Sequence, residues 1–260
     1  SSRDPDNFRD SRENNFDIWL PGIGALYQLN PSLRLVAGVH RGFATPTNAP
    51  GVNPEESVNY ELGLRHDTSR SSLEAMFFFN DYENLVGVCT NSSGGDCEPG
   101  DAFNGDAVHI PGLELTFSFL FDTESGWELP FQLVYTWMNA EFQSSFVSDY
   151  FGQVNKGDPV PYVPENQLWA SLGLEKNAWS FYFSANYVGS VCTEASCGAF
   201  EKTESATIFD LSAHYRINDR WRLYALVENL SDEIYVAARD PYGARPNKPR
   251  TFLAGIKFGF

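Results

Sequence analysis

The residues best placed to do chemistry in this chain of 260 residues lie near its C-terminal end. Arg239, Arg245, Lys248 and Arg250 crowd one stretch in which Asp240 is the sole acid, although the formal net charge of the whole chain is −16. A guanidinium is a planar fork that grips a carboxylate with two parallel hydrogen bonds. Arg239 and Arg245 are therefore candidates to hold an anionic ligand; the competing reading pairs them with acids of neighbouring loops. Tyr242 in the same stretch, and Tyr150, Phe151 and Tyr162 earlier, are candidates to pack on such a ligand or to anchor their own loops. His40 and Arg41 are candidates for the mouth of a site, against a structural hydrogen-bonding role.

Catalysis needs a different constellation. General acid–base or nucleophilic chemistry requires a histidine beside an acid or a nucleophile. The four histidines are His40, His66, His109 and His214. His66 abuts a short turn, His214 lies mid-strand, and His109 near Asp106 has no GxSxG-like nucleophile setting for company. No residue is assigned a catalytic role and the chain is not read as an enzyme. The cysteines form two close pairs, Cys89 with Cys97 and Cys192 with Cys197, each in a polar Gly/Ser-containing loop. Neither pair has the CxxC spacing of a zinc site and no histidine is adjacent, so loop disulfides are expected and no metal site is assigned. The acidic total argues against a nucleic-acid partner, which wants a basic face.

The elements that must position these residues are strands. Apolar residues recur at every second position in Leu33–Val39, Val58–Leu64, Leu73–Phe79, Leu113–Phe121, Phe131–Trp137, Leu168–Leu174, Trp179–Tyr187, Phe209–Ile217, Trp221–Val227 and Phe252–Phe260. With the less regular Phe16–Leu29, about eleven strands are expected, each near the ten residues of a tilted membrane strand. Short turns at 30–32, 67–70, 122–126, 175–177 and 218–220 alternate with long loops at 45–55, 89–106, 144–165, 192–205 and 238–249. That asymmetry, with short periplasmic turns and long extracellular loops, marks an outer-membrane barrel; a soluble sandwich favours short loops at both ends. Aromatics near strand ends, Trp127, Trp179 and Trp221, suit an interface girdle. No run of about 18 apolar residues offers a spanning helix. Residues 1–15 are polar and charged and read as a loop, or as the start after a cut, rather than a signal peptide. The expectation is an all-β, antiparallel transmembrane β-barrel over residues 16–260.

Several segments, in order, resemble the TonB-dependent outer-membrane receptors. Gly38-Val39-His40-Arg41-Gly42-Phe43-Ala44 is similar to the family's RGF segment, and Pro54 to Arg65 to its PEES-NYELGLR strand. Asn229-Leu230-Ser231-Asp232-Glu233-Ile234-Tyr235 is similar to its NLfDe-Y motif. Pro249-Arg250-Thr251-Phe252 and the alternating strand ending in Phe260 resemble its last strand. Within the family the chain looks most like the iron(III) dicitrate-type receptors, through the Cys89–Cys97 loop, Gly157–Glu165 and Ala238–Pro246.

The resemblance implies that this is the C-terminal half of a barrel of about 22 strands, with the plug domain and TonB box absent from it. It implies location in the outer membrane of a Gram-negative bacterium and TonB-dependent uptake of a ferric chelate, ferric citrate or a related siderophore. Iron would enter only as the chelate, with no covalently bound cofactor. Partners would be outer-membrane lipid, lipopolysaccharide (whose phosphates compete for the loop arginines) and TonB, reached through the missing N-terminal region. Uptake of a vitamin or oligosaccharide by the same fold, or a small passive porin, are the alternatives.

Overall fold

The computed structural model describes residues 18–45, 52–88, 102–148, 151–239 and 243–259. Eleven long strands form its main sheet. They are β1 (Gly22–Asn30), β2 (Leu33–Ala44), β3 (Glu55–Asp67), β4 (Ser71–Glu83), β5 (Val108–Asp122) and β6 (Glu128–Met138), followed by β7 (Asn166–Lys176), β8 (Trp179–Val188), β9 (Ala206–Arg216), β10 (Trp221–Glu228) and β11 (Thr251–Phe258). Each pairs antiparallel with its neighbours in the chain, so spatial order is sequence order. The expected number of long strands is present. The expected first strand, from Phe16, instead begins at Gly22, after Pro21, which lacks the N–H a ladder needs. The expected leader 1–15 lies outside the described residues.

Alternation and register together give the sheet two unlike faces. Val39, Tyr60 and Phe79 share one row across β2, β3 and β4, and Ala213, Ala225 and Ala254 share another across β9, β10 and β11. The expected apolar sets thus all fall on one face. That face is not covered: Ile23 is 79% exposed, Leu62 61% and Phe252 72%. A soluble sandwich buries its apolar face against a second sheet, whereas a membrane barrel turns it to lipid. At the short-turn end of this face Trp179 lies 4.6 Å from Tyr215, and Trp221 4.5 Å from Phe258, with Lys176 5.5 Å from the Trp127 ring, as the girdle expectation requires.

The opposite face is polar and closely fitted. Arg34 pairs with Asp67, and Arg65 with Glu74 at 2.9 Å. Large side chains lie over in-register glycines, Met76 over Gly63, Phe78 over Gly112 and Tyr224 over Gly255. A Cβ at Gly63 would stand 2.0 Å from the Met76 sulfur and 2.5 Å from the Ala75 carbonyl oxygen. Since the backbone oxygen cannot swing aside, Gly63→Ala is expected to cost about 1–3 kcal/mol, read as a lower denaturant midpoint for unfolding of the folded barrel.

The short turns close through local acceptors. Asn218 Oδ1 takes the N–H groups of Arg220 and Trp221, and Asn177 adopts a left-handed conformation with φ 55°. The long loops at the other end carry structure of their own: hairpins pair Val86–Val88 with Ala102–Asn104, Phe146–Ser148 with Gly152–Val154, and Val236–Ala238 with Arg245–Pro246. Among the described residues the sheet is not closed. β1 bonds only to β2 and β11 only to β10.

Candidate ligand site in the outer loops

The buried apolar core lies not in the sheet but among the long loops. Val108, Phe142 and Val154 are fully buried, with Phe151 and Ala195 beside them. Phe142 meets Phe146 and Phe151 edge-on, at 5.5 and 5.1 Å between ring centres, the arrangement that suits the aromatic quadrupole. This cluster joins three loops: Val108 begins β5, Phe142, Phe151 and Val154 come from the loop after β6, and Ala195 comes from the loop after β8. The Cys192–Cys197 disulfide is formed and encloses Ala195.

Tyr162 ties the fourth loop to this assembly. Its backbone adopts φ 61°, its N–H donates to the Cys192 carbonyl at 2.8 Å, and its hydroxyl accepts from the Arg239 N–H at 3.4 Å. The Arg239 Nε donates to the Lys202 carbonyl at 3.0 Å. Arg239 and Tyr162 are thus brought together, and both also hold loops to one another. Arg245 is exposed and sits opposite Ala238 in the last hairpin, on the same loop as Arg239. Phe151, a candidate to pack on a ligand, is only 6% exposed and belongs to the loop core. Tyr150, Asp240, Tyr242, Cys89 and Cys97 lie outside the described residues.

His40 and Arg41 part company. His40 is on the polar face, in register with Gly22 and Asn59. Arg41 shares the outward face of Leu35, Ala37 and Val39 and forms an ion pair with Glu56. His214 is not mid-strand; it stands two residues from the short-turn end of β9, its ring 6.1 Å from Tyr182. His109 Nε2 is 3.2 Å from Asp81 Oδ1, on the outward face beside Phe79. Among the described residues no group of three His, Cys, Asp or Glu is arranged to hold a metal ion.

One structural hub had no role assigned from sequence. Asn229 is 2% exposed and left-handed, with φ 52°. Its N–H donates to Asp210 in β9. Its Nδ2 donates to the carbonyls of Glu233 and Lys248, and its Oδ1 accepts the Glu233 N–H. Both ends of the last long loop are therefore fastened through one amide. The signal was available in Asn229-Leu230-Ser231-Asp232: asparagine is the non-glycine residue that best tolerates this conformation while bonding to nearby backbone.

The family model for the TonB dependent receptor-like β-barrel matches residues 1–230. The chain belongs to this family. This TonB-dependent receptor barrel is an outer-membrane protein segment, with its short turns at the periplasmic rim and its interlocked loops outside. It is 25% identical over 265 residues to the vitamin B12 transporter BtuB of Vibrio vulnificus (strain YJ016), covering 96% of this chain and 38% of that protein. It is 27% identical over 247 residues to the pesticin receptor of Yersinia enterocolitica serotype O:8 / biotype 1B (strain NCTC 13174 / 8081), covering 88% of this chain and 33% of that protein. Unliganded ferric citrate transporter FecA superposes with a TM-score of 0.71 at 20% identity, over 92% of this chain and 38% of that one. The chain thus spans roughly a third to two fifths of the length of these relatives.

Proposed function

We propose that the protein takes up a ferric chelate, ferric citrate or a related siderophore, across the outer membrane by TonB-dependent transport. This chain supplies half of the barrel wall and the outer loops that meet the ligand. The reading is carried by one observation: Arg239 and Arg245 sit in one loop which Tyr162 ties to the neighbouring loops, so both cations belong to one braced frame. Bidentate arginine contacts to the carboxylates of an anionic chelate are the chemistry this offers. Iron enters only within the chelate, and TonB engages the protein through the region N-terminal to this chain.

Cobalamin uptake is the second reading, favoured by the similarity to the vitamin B12 transporter. Calorimetry on the full-length protein separates the two, with ferric dicitrate, a neutral siderophore, cobalamin and an oligosaccharide titrated side by side. Heat with ferric dicitrate, reduced about tenfold in affinity by Arg245→Ala (roughly 1.4 kcal/mol), is expected. Binding of cobalamin or the sugar alone would retain the transporter and overturn both the chelate and the arginine assignment.

A further inference from the structure

The loop after β8 folds into a narrow ribbon. Thr193 N–H donates to the Glu201 carbonyl at 2.6 Å and Thr203 N–H to the Val191 carbonyl at 2.9 Å, with Cys192 opposite Lys202 between them. In an antiparallel pair, residues at such a position turn their own N–H and C=O groups away from each other. The Cys192 carbonyl therefore leaves one edge of the ribbon and the Lys202 carbonyl leaves the other. Tyr162 N–H donates to the first and Arg239 Nε to the second, while the Tyr162 hydroxyl accepts the Arg239 N–H. Three hydrogen bonds thus close a ring around the ribbon through residues 162, 192, 202 and 239.

The ribbon keeps its shape by two means. The hydroxyl of Thr203 accepts Val191 N–H and that of Thr193 donates to the Glu201 carbonyl, each at 3.0 Å, and both threonines are buried. The Cys192–Cys197 disulfide closes the turn around Ala195, which is 1% exposed in the loop core. Arg239 itself is half-buried. Among the described residues no carboxylate lies within 4.0 Å of its guanidinium. Nε is one of several guanidinium donors, and the two terminal nitrogens form an edge that suits a carboxylate. Anchoring Nε sets the direction in which that edge faces. A lysine ammonium in its place would be a point charge on a flexible stem.

We propose that the Cys192–Cys197 ribbon is a positioning element for ligand capture: the Lys202 carbonyl holds Nε and so aims the Arg239 fork at a carboxylate of the anionic chelate. The disulfide and the Lys202 carbonyl act through the arginine, so ligand affinity depends on the disulfide only while Arg239 is present. The proposal rests on the chelate uptake proposed above.

The test is a double-mutant cycle on the full-length protein, read by calorimetry with ferric dicitrate. Cys192→Ser with Cys197→Ser is expected to weaken binding about tenfold, and Arg239→Ala about as much. In the Arg239→Ala background the same pair of serines is expected to cost less than about twofold, because groups that act as one unit are not additive. Arg239→Lys keeps the charge and the disulfide but loses the Nε anchor, and is expected to weaken binding by about fivefold or more. If the serine variant fails to fold, Arg239→Lys decides alone. Equal losses from the serines with and without Arg239, or an Arg239→Lys protein that binds like the unsubstituted one, would overturn the proposal and leave the uptake reading standing. No heat with ferric dicitrate from the unsubstituted protein would overturn both.

Discussion

Asn229→Ala is expected to lower stability by about 3 kcal/mol, at the upper end of what one polar side chain does. Three side-chain hydrogen bonds vanish at once, from the carbonyls of Glu233 and Lys248 and the N–H of Glu233. The site is 2% exposed, so water does not simply replace them, and alanine is in addition strained at φ 52°. Asn229→Asp keeps the acceptor for Glu233 N–H but loses both donors, and should fall between. The midpoint of heat-induced unfolding of the full-length protein in detergent, with protease cleavage of the loop 229–250, reads both effects. An unchanged midpoint and cleavage rate for Asn229→Ala would remove Asn229 from its place as the fastening of that loop.

The second large effect tests the two faces. Ala225 is at the middle of β10 on the apolar face, level with Ala213 and Ala254. An arginine near the bilayer midplane on the lipid side of a barrel costs about 2–4 kcal/mol, and Ala225→Arg should do so. Ser212, in register with Tyr182 and Leu226, is on the polar face, and Ser212→Arg is expected to cost less than about 1 kcal/mol. Equilibrium folding of the full-length protein into lipid vesicles from denaturant compares the two. Equal costs would mean that the faces have been assigned the wrong way round.

The uptake proposed above places two demands on this chain. The barrel wall must be insoluble in water on one side and wettable on the other, which the apolar and polar rows provide. The proposed ligand-facing surface of the outer loops must be held in place while the membrane-spanning part stays fixed, and the Val108–Phe142–Phe151–Val154–Ala195 core supplies a small folded body for that. Loops without such a core would lose the ligand geometry to chain entropy. The periplasmic rim, by contrast, has short turns closed by local acceptors such as the Asn218 side chain.

The sequence by itself determined the number of long strands, the end that bears the long loops, and which residues of each strand share a face. These depend on period-two alternation and on Asn, Gly, Pro and Asp at turns, which act over a few residues. The opposite faces of His40 and Arg41 were legible in the same way, since adjacent strand residues cannot point together. Only the tertiary structure decided what the loops do. Phe151 is a core residue rather than a ligand platform because Phe142, Phe146 and Val154 reach it from elsewhere in its loop and Ala195 from another. Arg239 braces Lys202, 37 residues away, and Arg222 lies between two cations only because β9 and β11 flank β10 in that register. Such partners are distant in the chain, and local composition carries no record of which distant side chain will arrive.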